Sequence, residues 1–218
     1  MPHSRSPRSA AALCIGALAI FLFATQAVAR DYEKLDDCHY MQNPANDGDS
    51  FHVKHEGREY IFRIFFVDTP ETENTFPERV QEQAAYFGIT PEQALRIGKI
   101  AAEFTRGKLA AHPFTVYTRW QDARGESRLP RHFAHVIADD KSLAELLVAN
   151  GLARIYGMPA VMPDGTSAKA YEAHLRDLEA KAKTQHLGAW SLQPGASPAA
   201  TTSKDAWNQL FRKASPTP

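Results

Sequence analysis

An arginine stands inside an apolar run, Ile61-Phe62-Arg63-Ile64-Phe65-Phe66-Val67, and that run ends at once in Asp68-Thr69-Pro70-Glu71-Thr72. A guanidinium enclosed by a sheet is tolerated only against an anion, because an unpaired buried charge costs several kcal/mol. The fold must therefore deliver carboxylates to Arg63. Residues 50–55 alternate, Glu56-Gly57 supplies a turn, and residues 59–67 return as a long apolar strand, so the pair reads as a hairpin. Its closure carries the turn Asp47-Gly48-Asp49-Ser50 to Arg63. Acids converging from Asp47, Asp49, Asp68 and Glu71 repel one another unless a cation or a cationic side chain joins them. A hard metal ion together with a phosphate meets both demands.

The ends of the chain differ from its middle. Arg5 and Arg8 precede an apolar run over residues 10–24, and Ala27-Val28-Ala29 has the small-x-small form of a signal-peptidase site. Residues 1–29 therefore read as a cleaved export signal. The run is shorter than the roughly 20 residues a spanning helix needs, which weighs against an uncleaved anchor. No stable membrane association is expected after cleavage, and the destination is the periplasm or the medium. Removing the signal removes two arginines and no acids, leaving 23 basic residues against 25 acidic ones. That balance excludes a global positive field, so a polyanion would have to be held by a local cluster or through a metal. Cys14 would leave with the signal. Cys38 is then alone, which excludes an internal disulfide and leaves a buried, a free or an interchain thiol open.

Residues 30–44 read as an N-terminal linker, 45–192 as one globular domain, and 193–218 as a flexible tail rich in Pro, Ala, Ser and Thr. Within the domain, residues 77–87 predict a helix that breaks at Gly88. A second helix starts at Thr90-Pro91, where threonine caps and proline suits the first turn, and runs to about residue 109. Strands follow at 114–119 and 133–137, separated by a polar loop at 121–131. Residues 143–149 predict a short helix ended by Asn150-Gly151, 153–156 a further strand, and 168–183 a long amphipathic helix. Five short strands with three to four helices point to an α+β domain built on a small, partly open barrel.

The series Asp47-Gly48-Asp49-Ser50, Phe62-Arg63, Val67-Asp68-Thr69-Pro70-Glu71-Thr72, then Arg131 just before Phe133-Ala134-His135-Val136-Ile137-Ala138, resembles staphylococcal nuclease and the wider thermonuclease family. Asn150-Gly151-Leu152-Ala153-Arg154 and Leu187-Gly188-Ala189-Trp190-Ser191 extend the likeness across nearly the whole domain. The resemblance implies a five-stranded OB-fold β-barrel with helices, a monomer, and calcium-dependent cleavage of phosphodiester bonds in DNA and/or RNA. It implies Asp49 and Asp68 as Ca2+ carboxylates, the Thr69 carbonyl as a third ligand, and Asp47 as support beside the ion. It implies Glu71 as the general base, and Arg63 and Arg131 as the catalytic arginines that hold the scissile phosphate. The chemistry is coherent: calcium takes several oxygen ligands in irregular geometry, and cations around a phosphate neutralise the charge that grows during in-line attack.

Each element also has a plainer reading. Asp47-Gly48-Asp49-Ser50 alone is a turn, Asp68-Thr69-Pro70-Glu71 alone is a helix start, and Arg63 alone is a structural ion pair. The chain departs from the family pattern in the loop before Arg131, where Ser127-Arg128-Leu129-Pro130 lacks the expected aromatic. Arg131 is placed by its offset from Ala134–Ala138, with Arg128 and Arg124 as the other choices. Of the family's aromatic substrate residues only Tyr156 has a counterpart. The histidine pairs His52 with His55, and His132 with His135, read as surface or packing residues, and Trp190 as a core anchor. A non-catalytic module that binds nucleic acid or protein on the same barrel is the rival reading.

Overall fold

The structure is a computed structural model that describes residues 31–194 apart from 126 and 128. The expected signal and nearly all of the expected tail lie outside the described residues. Eight strands and four helices follow in the order β1 (Glu33–Met41), β2 (Ser50–His55), β3 (Arg58–Ile64), β4 (Val67–Asp68), α1 (Pro77–Phe87), α2 (Pro91–Leu109), β5 (Phe114–Asp122), β6 (Arg131–Ala138), β7 (Lys141–Ser142), α3 (Leu143–Ala149), β8 (Arg154–Ile155) and α4 (Ala168–Thr184). A 3₁₀ turn at Gly188–Leu192 ends the domain.

Neighbouring strands run β3-β2-β1-β5-β6-β7, and β3 also pairs in parallel with β6. The pairings of β1, β2, β3, β5 and β6 thus form a closed circuit, the curled five-strand sheet of an OB fold. Phe51 and Val53 of β2, Phe62 and Ile64 of β3, Val116 of β5 and Val136 of β6 are buried in its core. Helices α3 and α4 pack together, with Leu143, Leu147 and Leu175 fully enclosed. Trp190 is buried beside them, as its anchor reading required. No described helix is long and apolar enough to cross a membrane.

β5 and β6 extend by two or three residues into the expected loop, β7 is an added short strand, and two further differences are larger. Residues 33–41, taken as linker, form β1, which pairs with both β2 and β5. A bulge hides it: the register shifts between Leu35 and Cys38, and Asp37 adopts φ 56°, so the two buried positions lie three apart and period-two alternation is lost. Cys38 is fully buried, its Sγ donates to the Leu35 carbonyl at 3.4 Å, and burial pushes its thiol up to about 12. The second difference is the strand expected over 59–67. It stops at Ile64, because Phe66 adopts φ 69° and its N–H donates to the Met158 carbonyl at 3.1 Å. Val67 and Asp68 then leave the barrel and pair with β8, placing Asp68 directly opposite Arg154.

The helices begin and end where the punctuation predicts. Gly88 closes α1 at φ 68°, with its N–H bonded to the Ala85 carbonyl and that of Ile89 to the Ala84 carbonyl. Thr90 and Gln93 form a reciprocal capping box on α2. One glycine inside α2 sets the distance to the loop after β4. A Cβ on Gly98 would stand 2.1 Å from the Glu71 carbonyl oxygen and 2.5 Å from that of Pro70, so only glycine admits this approach.

Candidate active site

The turn before β2 is built by its own aspartate. Asp47 Oδ1 accepts the N–H groups of Asp49 at 3.0 Å and Ser50 at 2.6 Å. Thr105 of α2 donates to the Gly48 carbonyl at 2.7 Å, and a Cβ on Gly48 would lie 2.7 Å from Thr69 Cγ2 and 2.8 Å from Ala101 Cβ. The turn is therefore pressed between α2 and the loop after β4. That packing buries Asp49, whose Oδ2 accepts the Thr69 N–H at 2.9 Å and lies 3.3 Å from Arg63 Nη2. Ser50 is the register partner of Arg63, as the hairpin reading required. The turn is both an ordinary Asx turn and the device that aims Asp49.

Asp68 is the centre of the cluster. Its side chain is 0% exposed, and four donors reach it. Arg63 Nη2 at 2.7 Å and Arg79 Nη2 share Oδ1, while Gln83 Nε2 at 2.9 Å and Arg154 Nε at 2.8 Å share Oδ2. An ionised carboxylate offers about four lone-pair positions, so Asp68 is fully subscribed. Gln83, itself fully buried, also donates to the Thr69 carbonyl at 3.0 Å and accepts the Glu71 N–H at 2.9 Å. One amide on α1 thus holds Asp68 at the end of β4 and the Thr69 and Glu71 backbone in the loop after it. Arg154 continues to Glu82 Oε1 at 2.9 Å and lies 4.1 Å from the Tyr156 ring. The Asp68-Thr69-Pro70-Glu71 segment is therefore no helix start; α1 begins six residues after Glu71, at Pro77.

Glu71 does not stand free. Its Oε1 accepts from Nε of Arg79, the same guanidinium that reaches Asp68. Arg79, Gln83 and Arg154 were not assigned by sequence reasoning. Arg79 and Gln83 are four apart on α1 and so share a face. That spacing was visible, but nothing in the sequence aimed the face at Asp68. Arg154 stood in a quoted motif without a role.

Arg131, at the start of β6, completes the site. Its Nη1 lies 3.4 Å from Ser50 Oγ, and its Nε donates to the Arg124 carbonyl at 2.9 Å. It forms no ion pair with a described carboxylate. Arg124 contributes only that carbonyl, and Arg128 lies outside the described residues. Register explains why the two arginines meet: Arg63 faces Phe133 and Arg131 faces Ile61 across the parallel seam, so both side chains occupy one face. Arg63, Glu71, Arg79, Arg131, Asp47 and Phe76 line a single cleft of about 660 Å³. A second depression of about 510 Å³, bordered by Phe66, Tyr156 and Met158, carries one carboxylate and no cation.

The electrostatics show competing demands. Burial pushes the Asp49 carboxyl well above the usual carboxylate range, against the pull of Arg63, and burial raises Asp47 as well. Asp49 in turn holds Arg63 above its ordinary value. Burial works against the charge of Arg79, yet Asp68 and Glu71 keep it above its ordinary value. Arg131 is lowered, first by burial and then by the Arg63 charge beside it. A cation with no matching carboxylate among the described residues, facing a cleft, is suited to an external anion.

The model of the family described as staphylococcal nuclease homologue matches residues 61–192. The chain belongs to the staphylococcal nuclease homologue family. That match contains Arg63, Asp68, Thr69, Glu71 and Arg131 and begins after Asp49, which the fold brings against Arg63 and Thr69. Endonuclease YncB of Bacillus subtilis (strain 168) is 28% identical over 155 residues, which is 67% of this chain and 59% of that protein. The chain therefore spans under two thirds of that relative's length. Among the described residues no group of three His, Cys, Asp or Glu side chains gathers for a metal. The oxygen donors that the fold does gather beside Arg63 are the carboxylates of Asp49 and Asp68, with the Thr69 carbonyl held by Gln83. The two carboxylates share one nitrogen of Arg63, which draws them to a common point.

Proposed function

We propose that this protein is an exported, calcium-dependent nuclease that hydrolyses phosphodiester bonds of DNA and/or RNA. The observation that carries the reading is the shared cleft, in which two arginines from opposite sides of the barrel seam face the same space as Glu71. Family membership and the likeness to an endonuclease support it.

In this reading a phosphate diester enters the cleft against Arg131, whose charge has no described carboxylate to satisfy it. Arg63, anchored through Nη2 by Asp49 and Asp68, presents its remaining donors to the same phosphate. Together they stabilise charge that develops on the phosphoryl oxygens, the use for which a bidentate guanidinium is suited. Glu71, one quarter exposed at the cleft wall, takes a proton from the attacking water. Asp47 holds the turn that carries Asp49. The donor set, two carboxylates and a carbonyl, is all hard oxygen and fits calcium held by Asp49, Asp68 and Thr69. When bound, such an ion supplies positive charge next to the phosphate. Phe76, 61% exposed at the cleft mouth, offers a ring for stacking a base where the 127–130 loop offers none.

The test incubates the protein with single-stranded DNA in calcium or chelator, beside Glu71→Gln. Calcium-dependent shortening that falls roughly a hundred- to ten-thousand-fold in Glu71→Gln is expected. DNA retarded on a gel but never shortened would replace the nuclease reading with a binding module.

A further inference from the structure

We propose that Arg79 holds a ligand oxygen of the cation site, and that a divalent ion must displace this side chain from Asp68 and Glu71 before the site is competent. The inference rests on the calcium part of the reading above.

The argument begins with the saturation of Asp68. Four donors fill its lone pairs, so it can ligate an ion only if one of them leaves. Gln83 is fully buried and tied to Thr69 and Glu71 as well. Arg154 is 2% exposed, bonded to Glu82 and covered by Tyr156. Arg63 is 16% exposed and also anchored by Asp49. Arg79 is 33% exposed, the most open of the three arginines, and it reaches the cluster from the first turn of α1 at the edge of the cleft.

Two carboxylates depend on that one guanidinium. Its Nη2 holds Asp68 Oδ1 and its Nε holds Glu71 Oε1, so one side-chain rotation would free a ligand oxygen and the base together. Crowding of cations at Asp68 itself favours the exchange. With Arg63 and Arg154 already on Asp68, an added divalent ion and Arg79 would crowd four cationic groups around one carboxylate. Departure of Arg79 relieves that crowding. In the absence of the ion, Glu71 stays paired and unable to serve as a base, and arrival of the ion and release of the base become one event.

The test is calorimetric titration of calcium into the purified protein without nucleic acid. Arg79→Met keeps the aliphatic stem and removes the charge, and calcium should bind roughly tenfold or more tightly. Arg79→Lys should return to weak binding, and adding Asp49→Asn to Arg79→Met should remove the tight site. Thermal melting checks that each variant is folded, and Arg79→Gln replaces the methionine variant if that one fails. A residue with a merely structural role would weaken binding or leave it unchanged. Unchanged or weaker calcium affinity, with Asp49-dependent binding in the parent, overturns the proposal and leaves the nuclease reading standing. Cleavage that persists in chelator, depends on Glu71 and accompanies no calcium binding in any variant also overturns it. Tighter binding in Arg79→Met, matched by a lower calcium requirement for cleavage, upholds it.

Discussion

Gly98→Ala sets two effects of opposite sign against each other. In an exposed helix interior, alanine for glycine gains about 1 kcal/mol through reduced backbone entropy. At this position the new Cβ would lie 2.1 Å from the Glu71 carbonyl oxygen and 2.5 Å from that of Pro70, where ordinary contact begins near 3.4 Å. The loop must retreat by roughly 1 Å or more, and both obstacles are backbone rather than a mobile side-chain tip. Overpacking of this kind costs about 1–3 kcal/mol, and the upper half of that range applies because the loop is pinned by Gln83. The net expectation is a loss of about 1–2 kcal/mol, or roughly 2–8 °C in Tm for a domain of this size. Glu71 moves with the loop, and a misplacement near 1 Å lowers turnover about a hundredfold. Urea melts and initial cleavage rates measure the two effects, with Lys99→Ala on the exposed face of the same helix as a control. A Gly98→Ala protein more stable than its parent, cleaving at the parental rate, would refute the packing argument.

Arg154→Met leaves Asp68 buried with three donors and frees Glu82, and should cost about 3 kcal/mol of stability in urea melts, the lower end for breaking a buried pair. Phe76→Ala should raise KM for single-stranded DNA by roughly tenfold or more, the equivalent of losing one stacked base, while kcat stays near the parental value. Burial lowers His135 to about 4, so the unfolded chain takes up the proton first and stability falls as pH drops from about 6.5 toward 4. The full effect is about 3 kcal/mol, and comparing His135→Gln with the parent across that window should remove it.

The barrel strands and helices were legible because their signals are local. The Thr90-Pro91 start, the Gly88 stop and the alternation of residues 50–55 each describe a few adjacent residues, and each reappears at its expected place. β1 escaped because its bulge places Leu35 and Cys38 out of period, and the end of β3 escaped because Phe66 takes a conformation that phenylalanine rarely adopts. In the site, the anions demanded by Arg63 were found where charge balance required them. The second half of that balance was not legible. Sequence reasoning allowed either a metal or a cationic side chain to join the acids, and only the packing of α1 brings Arg79 to both Asp68 and Glu71. The segment at residues 73–90, read from the sequence only as a helix and its break, is the element that supplies Arg79, Gln83 and Phe76.

The parallel seam between β3 and β6 also bears on timing. These strands are far apart in sequence, and their register alone sets Arg63 beside Arg131. A slip of one residue would turn Arg131 to the opposite face. Arg63 and Arg131, the pair proposed to hold the phosphate, therefore stand together only once β3 and β6 have paired. On the proposed function, a chain that has not yet made this pairing would carry the individual side chains but no shared place for a phosphate, so completion of the fold and onset of nuclease chemistry would coincide.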